Sequence, residues 1–72
     1  MHTRYYRTML KQEPEVLTVP DVARILRIGR NKAYELVHSG QLEPIRLGKR
    51  ILIPKYTLIA FMMELNQKEV NE

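Results

Sequence analysis

The sequence contains no cysteine and no tryptophan, and it has only three glycines. Without cysteine the chain forms no disulfide and offers no thiolate to a metal ion, which fits a reducing cytoplasm. A long apolar run is also missing, since the longest one, Leu58 to Met63, is far shorter than the roughly 20 residues of a membrane span. The opening segment "MHTRYYRTMLKQ" has no apolar signal core. We therefore expect a cytoplasmic protein without a membrane segment or a targeting signal.

Acidic residues are scarce in the middle of the chain. The 72 residues include 12 Lys and Arg against eight Asp and Glu, a net charge of +4. Between Arg24 and Lys55, eight cations face only Glu35 and Glu43, so this window alone carries a charge of +6. A basic region in a small domain indicates a polyanionic partner such as nucleic acid, although chance clustering on a solvated surface explains the charge alone equally well.

The residue patterns of enzymes and of cofactor sites are missing as well. His2 and His38 have no acid or thiol at a useful spacing, and Ser39 adjoins His38 without the other parts of a catalytic triad. The sequence shows neither a metal-ligand cluster nor a glycine-rich phosphate loop. It therefore predicts a protein that is not an enzyme and that has no catalytic residue, metal, cofactor or small-molecule substrate.

The first clear element begins at Thr18. In "TVPD", Thr18 is a candidate N-cap, and Asp21 three residues later completes an acidic version of the capping box. Pro20 is tolerated in a first helical turn. Apolar residues then recur at helical spacing and predict a helix that ends near Arg27; they are Val19, Val22, Ala23, Ile25 and Leu26.

Two more helices are expected further along the chain. After a tight connection at Ile28 and Gly29, the second covers residues 30–38, and Gly40 closes it as a C-terminal glycine. The third covers residues 55–65, where the apolar residues follow the spacing of one helical face.

The segment "EPIRLGKRILIP" predicts a β-hairpin, because two runs of alternating residues flank Gly48. One register pairs Leu47 with Arg50 through a two-residue loop and mixes apolar with basic side chains on one face. The other pairs Leu47 with Ile51, leaves Gly48, Lys49 and Arg50 as the loop, and collects the apolar side chains on one face. We favour the second register, although a three-residue loop usually has its glycine last.

Together these elements predict a mainly α-helical fold with a small β-hairpin, a winged helix-turn-helix of three helices plus a wing. The DNA-binding domain is expected over residues 17–65, followed by a C-terminal tail over residues 66–72. Residues 1–16 form an N-terminal arm that is either flexible or a short helix. The residues that must pack the helix-turn-helix are apolar: Val22, Ala23, Leu26, Ile28, Ala33 and Leu36.

Four segments in order resemble the excisionase family of small winged helix-turn-helix proteins, whose DNA-binding fold is shared with MerR-type regulators. The segments are "LTVPDVARIL", "RIGRNKAYELV", "SGQLEPIRLGKR" and "IPKYTLIAF", and the resemblance covers residues 17–63. The sequence departs from the common pattern at Arg27, where many helix-turn-helix turns carry glycine. Either the turn is strained there, or its backbone accepts a residue other than glycine.

The resemblance implies a DNA-binding accessory factor of a mobile genetic element, associated with the bacterial nucleoid. Excisionases bind double-stranded DNA near the recombination ends, bend it, and help an integrase of the tyrosine recombinase class to excise the element. Self-association of copies along the DNA is a further implication. The alternative is a small MerR-like transcription regulator of a phage or mobile element. A third interpretation is a protein-interaction module whose basic face binds an acidic protein.

The second predicted helix carries the candidate contacts to DNA bases. Arg pairs with guanine and Asn with adenine in the major groove, so Arg30 and Asn31 are the candidates for base edges. A phosphate contact is the alternative for Arg30 and the expectation for Lys32. Tyr34 either contacts DNA or packs under the wing.

The remaining candidates lie at the end of this helix, on the wing and at two helix starts. Glu35 either accepts from cytosine or stabilises its helix, and His38 either contacts DNA or caps the helix C-terminus. Thr18 and Lys55 are candidate contacts to the DNA backbone, with helix capping as the alternative for Thr18. Tyr56 is expected to pack inside. The wing offers three cations to the minor groove or to adjacent phosphates, with a merely solvated hairpin as the alternative. They are Arg46, Lys49 and Arg50.

Overall fold

The computed structural model describes residues 2–70, so Met1 of the predicted arm and residues 71–72 of the predicted tail lie outside the described residues. In chain order the elements are α1 (His2–Met9), β1 (Val16–Thr18), α2 (Val19–Leu26), α3 (Arg30–His38), β2 (Ile45–Leu47), β3 (Arg50–Pro54) and α4 (Lys55–Val70). The predicted winged helix-turn-helix is confirmed, because α2 packs against α3 and the β2–β3 hairpin follows them. Within this range no helix combines the length and the hydropathy of a membrane span.

A capping box fixes the start of α2, as the sequence predicted. The Thr18 hydroxyl accepts a hydrogen bond from the Asp21 backbone N–H at 3.2 Å, and the Asp21 carboxylate accepts one from the Thr18 N–H at 3.0 Å. A helix start leaves backbone donors unpaired, so such a cap stabilises the fold by about 1 kcal/mol. The Thr18 N–H, by donating to the carboxylate, holds the pKa of Asp21 below its ordinary value.

The turn between α2 and α3 is a Schellman motif centred on Arg27. The Ile28 N–H donates to the Ala23 carbonyl at 3.0 Å, and the Arg27 N–H donates to the Arg24 carbonyl at 3.2 Å. This pattern needs a left-handed backbone at Arg27, where φ is 59° and ψ is 48°. A side chain in this region costs about 1–2 kcal/mol, so Arg27 adopts the conformation usual for glycine under strain.

Helix α3 begins and ends at the predicted glycines. Gly29 is the N-cap in an extended conformation, and it has no side chain to pair with the first N–H groups of the helix. Gly40 follows the helix with a φ of +87° and donates its N–H to the Val37 carbonyl at 3.2 Å. A positive φ at this place is the reason for a glycine after a helix.

Three antiparallel strands form one sheet in the order β1-β3-β2. The sequence did not predict β1, because a strand of three residues is too short to show an alternating pattern. Leu17 of β1 pairs with Ile53 of β3, and both side chains are fully buried. β1 therefore contributes to the core and leads directly into the capping box of α2.

The hairpin has the register that the sequence analysis did not favour. Leu47 pairs with Arg50 and Arg46 with Ile51, so the loop is only Gly48 and Lys49. Gly48 has a φ of +62° while Lys49 does not have a positive φ, as expected for a two-residue turn of type II′. The prediction was wrong because it placed the apolar side chains of both strands on one face, whereas Leu47 and Ile51 lie on opposite faces and all three residues of β2 are exposed.

The N-terminal residues 2–15 form a helix and a connection that pack on the body of the protein. Helix α1 lies against α4, with Tyr6 8% exposed and Leu10 4% exposed. These two side chains join a single core with residues from every other helix and from the inner face of the sheet, among them Leu17, Val22, Ala33, Leu42, Ile53 and Leu58. Of the two alternatives for this arm, the structure has the helix.

Helix α4 is longer than the sequence predicted. It begins at Lys55 as expected, but it continues to Val70 instead of ending near Leu65. The residues beyond Leu65 include no glycine or proline, and Gln, Lys and Glu are good helix formers, so nothing in the sequence stops the helix there. The prediction stopped at Leu65, the last residue of the apolar pattern, but Leu65 is itself 45% exposed, and the end of such a pattern does not mark the end of a helix.

Candidate DNA-binding surface

Helix α3 has a narrow buried face and a wide exposed one. Ala33, Leu36 and Val37 are buried against the rest of the fold. The predicted contact residues all lie on the exposed part: Arg30, Asn31, Lys32, Tyr34, Glu35 and His38. The spacing of the buried residues fixes the rotation of the helix about its axis, so it also determines which polar side chains are presented outward.

Nearby cations and uncapped backbone N–H groups both make the N-terminal end of α3 electropositive. Its first turn has no acidic residue, and Gly29 leaves the first backbone N–H groups without a side-chain cap. Arg30 and Asn31 form no hydrogen bond or ion pair through their side chains with any residue in the described range. Cations at this end add to the positive end of the helix dipole, which disfavours the helix start in water. An anion in front of the helix is attracted both by the cations and by the dipole.

Two side-chain pairs lie further along α3. Lys32 Nζ is 3.7 Å from Glu35 Oε1 across one turn, and both side chains are well exposed, so this ion pair is weak and easily exchanged for a phosphate. The rings of Tyr34 and His38 stack one turn apart, with centroids separated by 6.4 Å and planes inclined by 22°. This stacking gives His38 a partner other than DNA and orients Tyr34 along the helix.

A groove separates α3 from the wing and brings several predicted residues together. Its lining includes Thr18, Tyr34, Lys49 and Arg50, so we call it the wing groove. Thr18 reaches the groove from the start of α2, Tyr34 from the middle of α3, and the two cations from the tip of the hairpin. Residues from three separate segments thus face one space that is open to solvent.

The wing presents its side chains on two faces. Leu47 and Arg50 are paired and share one face, whereas Arg46 pairs with Ile51 and lies on the other face, because successive side chains alternate along a strand. Arg46, Lys49 and Arg50 are all exposed. Leu47 is 63% exposed beside these cations, which makes it an unusual apolar side chain at the end of a solvated hairpin.

Lys55 is the predicted contact that the structure places elsewhere. It is only 5% exposed, and its ammonium group donates to the backbone carbonyls of Leu10 at 3.2 Å and Glu13 at 2.9 Å. Its backbone N–H donates to the Glu15 carbonyl at 2.7 Å, and Glu15 Oε2 lies 3.7 Å from Nζ. The prediction of a phosphate contact for Lys55 is therefore corrected, because its ammonium group holds the N-terminal connection and is not open to DNA. Tyr56 also differs from expectation, since it is 66% exposed.

Arg24 is a second cation whose side chain is already bonded to other residues of the fold. Its guanidinium donates two hydrogen bonds to the Glu13 carboxylate at 3.0 and 2.9 Å and lies 3.6 Å from Asp21 Oδ1. The hydrogen bonds from Arg24 hold the pKa of Glu13 below its ordinary value. The charge of the basic window is therefore partly neutralised by the N-terminal connection, a contact across 11 residues that no local pattern could indicate.

Arg27 belongs to the exposed cations although it was not among the predicted contacts. It lines a shallow groove beside the α2–α3 turn, and the lining also includes Pro20, Gly29 and Arg30. The left-handed backbone at Arg27 marks the point where the chain leaves α2 and enters α3. Its place in the predicted turn, next to the start of the exposed helix, was the sequence signal that could have identified Arg27 as a candidate contact.

Comparison with known proteins agrees with the helix-turn-helix fold. Residues 16–66 match a family model described as a helix-turn-helix domain. The chain is 33% identical over 51 residues to a protein named excisionase from Streptomyces ambofaciens, a match that covers 71% of this chain and 82% of that protein. It is 45% identical over 40 residues to a protein named probable excisionase from Saccharopolyspora erythraea, and there it covers 56% of this chain but only 41% of the relative. No solved structure matches the chain.

Proposed function

Because the chain belongs to the excisionase family of helix-turn-helix proteins, we propose that it is a sequence-specific DNA-binding accessory factor that promotes excision of a mobile element by a tyrosine-recombinase integrase. The observation that carries the proposal is that Tyr34 of α3 lines one groove together with Lys49 and Arg50 of the wing tip. In this role the protein performs no chemistry, because cleavage and joining of DNA belong to the integrase. Its place of action is the DNA of a bacterial nucleoid.

In this proposal, α3 enters the major groove by its N-terminal end. Arg30 and Asn31 are then the residues that read base edges, and Lys32 releases Glu35 and neutralises a phosphate. The unpaired N–H groups after Gly29 strengthen the attraction of a phosphate to this end. The free side chains of Arg30 and Asn31 support these roles, because among residues 2–70 neither has a hydrogen-bond partner that it would lose on binding DNA.

The wing is proposed to follow the adjacent minor groove. Lys49 and Arg50 contact phosphates on the side of the wing groove, and Arg46 does so from the other face of the hairpin. Thr18 adds a contact through its hydroxyl hydrogen, because the capping box uses only the oxygen of that group. The tip is short and held by a two-residue turn, so the backbone that carries these cations has little freedom to lose on binding.

DNA bending is part of the same proposal, and exposed Leu47 supports it. Proteins that bind the minor groove often insert an apolar side chain between base steps and kink the duplex. Leu47 is exposed next to Lys49 and Arg50, which would hold the phosphates on either side of such a wedge. A Leu47→Thr variant is therefore expected to bind DNA with a smaller bend, as measured by the end-to-end distance of a labelled duplex.

An excision assay tests the proposal as a whole. The protein is supplied with a candidate tyrosine-recombinase integrase and with DNA that carries both ends of the element, and excised circles are counted. The proposal expects circles to accumulate only when the protein is present. If excision is equal with and without it while a nearby promoter responds, the protein is a transcription regulator. Footprinting separates the two further, since tandem direct repeats indicate copies arrayed along DNA and a single palindrome indicates a dimeric repressor.

A further inference from the structure

Helix α1 presents a row of cations that the surface described above does not include. Arg4 and Arg7 lie one helical turn apart, and Lys11 follows in the turn that ends the helix, with its N–H bonded to the Thr8 carbonyl at 3.2 Å. All three side chains are exposed, and residues 1–12 include no acid. Among the ion pairs of the described residues, none involves these three cations.

The row is carried by a helix that is firmly attached to the protein. Tyr6 and Leu10 are buried on the adjacent face of α1, about 100° around the helix from the cations. The connection after α1 is held by Lys55, which donates to the Leu10 and Glu13 carbonyls, and by the paired hydrogen bonds of Arg24 to Glu13. A fixed row of cations loses less conformational entropy on binding a ligand than a flexible arm would.

The row also belongs to a different part of the molecule from the wing groove. Helix α1 packs mainly against α4, whereas α3 packs against α2 and the wing extends from β3. None of the three cations lines the wing groove or the groove beside the α2–α3 turn. A single stretch of duplex held by α3 and the wing therefore leaves the cations of α1 without a partner in that contact.

We propose that Arg4, Arg7 and Lys11 form a second DNA-binding surface, which binds phosphates of the duplex outside the stretch occupied by α3 and the wing. The inference rests on the proposed function, because that function supplies the polyanion. Charge complementarity selects DNA, since a row of unpaired cations gains from displacing the counterions of a phosphate backbone. A duplex that bends toward the protein brings its flanking phosphates within reach of such a side surface.

The test compares two duplexes and three proteins. One duplex is cut back to the base pairs within the footprint whose identity affects binding, and the other extends it by flanking sequence on both sides. The variant Arg4→Gln/Arg7→Gln/Lys11→Gln removes the charges, and Arg4→Lys/Arg7→Lys keeps them as a matched control. All side chains concerned are exposed, so thermal melting is expected to show the same Tm for the three proteins.

The expected result is a loss that depends on the flanks. On the extended duplex, the charge-removing variant binds more weakly than the wild type, and the slope of log affinity against log salt becomes shallower by about two to three, as three lost phosphate contacts require. On the short duplex its affinity stays within about twofold of the wild type, because the charges lie outside that contact. The lysine control behaves as the wild type on both.

Two results would overturn the inference. An unchanged salt slope on the extended duplex shows that α1 does not contact DNA, and an equal loss on both duplexes assigns the cations to the main site instead. Either result leaves the proposed function intact, provided that the wild type prefers the footprinted site to random sequence. If the wild type shows no such preference, it is the proposed function that fails.

Discussion

The hairpin has two ends that use the same residue type in opposite ways. At the tip, Lys49 is exposed beside Arg50 on the edge of the wing groove. At the base, where β3 gives way to α4, Lys55 is buried and donates to two backbone carbonyls of the N-terminal connection. Both lysines count equally in the charge of the sequence, yet only the first is open to a ligand. The charge of the sequence therefore does not distinguish the two lysines, while the contacts decide which cations are open to a ligand and which serve folding.

Replacing the buried lysine tests this contrast most severely. In Lys55→Met the Leu10 and Glu13 carbonyls lose their donor, and an unsatisfied buried group costs about 1–3 kcal/mol. For a domain of this size, we expect a fall in Tm of about 4–24 °C in a thermal melt followed by circular dichroism. Lys49→Met is the matched control and should melt like the wild type. If instead Lys55→Met keeps its Tm and loses DNA affinity, Lys55 is a phosphate ligand after all.

Removing the charges of the tip should weaken DNA binding and leave the stability of the protein nearly unchanged. Lys49→Ala/Arg50→Ala removes two exposed cations, so stability should change by less than about 0.5 kcal/mol per site. The affinity for DNA is expected to fall on all sequences alike, and the salt slope should become shallower by about two. Binding measured over a series of salt concentrations provides the slope. A loss confined to one sequence would mean that the tip reads bases instead of phosphates.

Arg27 combines a cation of the exposed surface with a strained backbone, so one substitution can separate the two effects. Arg27→Gly relieves the left-handed conformation and should stabilise the protein by about 1 kcal/mol. The same change removes a cation beside Arg30, so the affinity for DNA should decrease slightly. Arg27→Ala is the control, since it removes the charge without relieving the strain. An unaltered Tm in the glycine variant would mean that the turn is not strained.

Acid should weaken the contacts of two carboxylates, Glu13 in its pair with Arg24 and Asp21 in the capping box. We expect a smaller effect on stability than that of the substitutions above. Glu13 and Asp21 have pKa values below their ordinary 4.5 and 3.8 in the folded protein. Their stabilising contribution is therefore complete above those ordinary values and is lost as the pH falls through the lower folded ones. Thermal melts between pH 6 and about 2 are expected to show this decline, and Glu13→Gln should make it less steep. A Glu13→Gln variant with the pH profile of the wild type would show that the Arg24 pair adds nothing.

The sequence predicted the parts of the fold that depend on neighbours along the chain. The capping box of Thr18 and Asp21, the glycine after α3 and the apolar faces of three helices all involve residues a few positions apart. The fold class followed from these local signals in their order. The exposed positions of α3 followed too, because the buried spacing leaves only one way to rotate the helix.

Contacts between distant residues account for what the sequence did not reveal. The role of Lys55 depends on carbonyls more than 40 residues away, and the Arg24 pair depends on Glu13 across 11 residues. The register of the hairpin was misjudged because Leu47 was expected to share a face with Ile51, whereas it pairs with Arg50 and is 63% exposed. Apolar residues on an exposed hairpin break the rule that apolar faces turn inward, so pattern alone misplaces them.

The role of α3 is tested most directly by the DNA sequences that the protein selects. Wild type and Asn31→Ala are each incubated with a library of random duplexes at the same salt concentration, and the bound fraction is sequenced. If Asn31 reads an adenine edge, the variant loses discrimination of about 1–3 kcal/mol at one position and keeps the rest of the preferred sequence. If the preferred sequence is the same for both proteins, α3 does not read bases through Asn31.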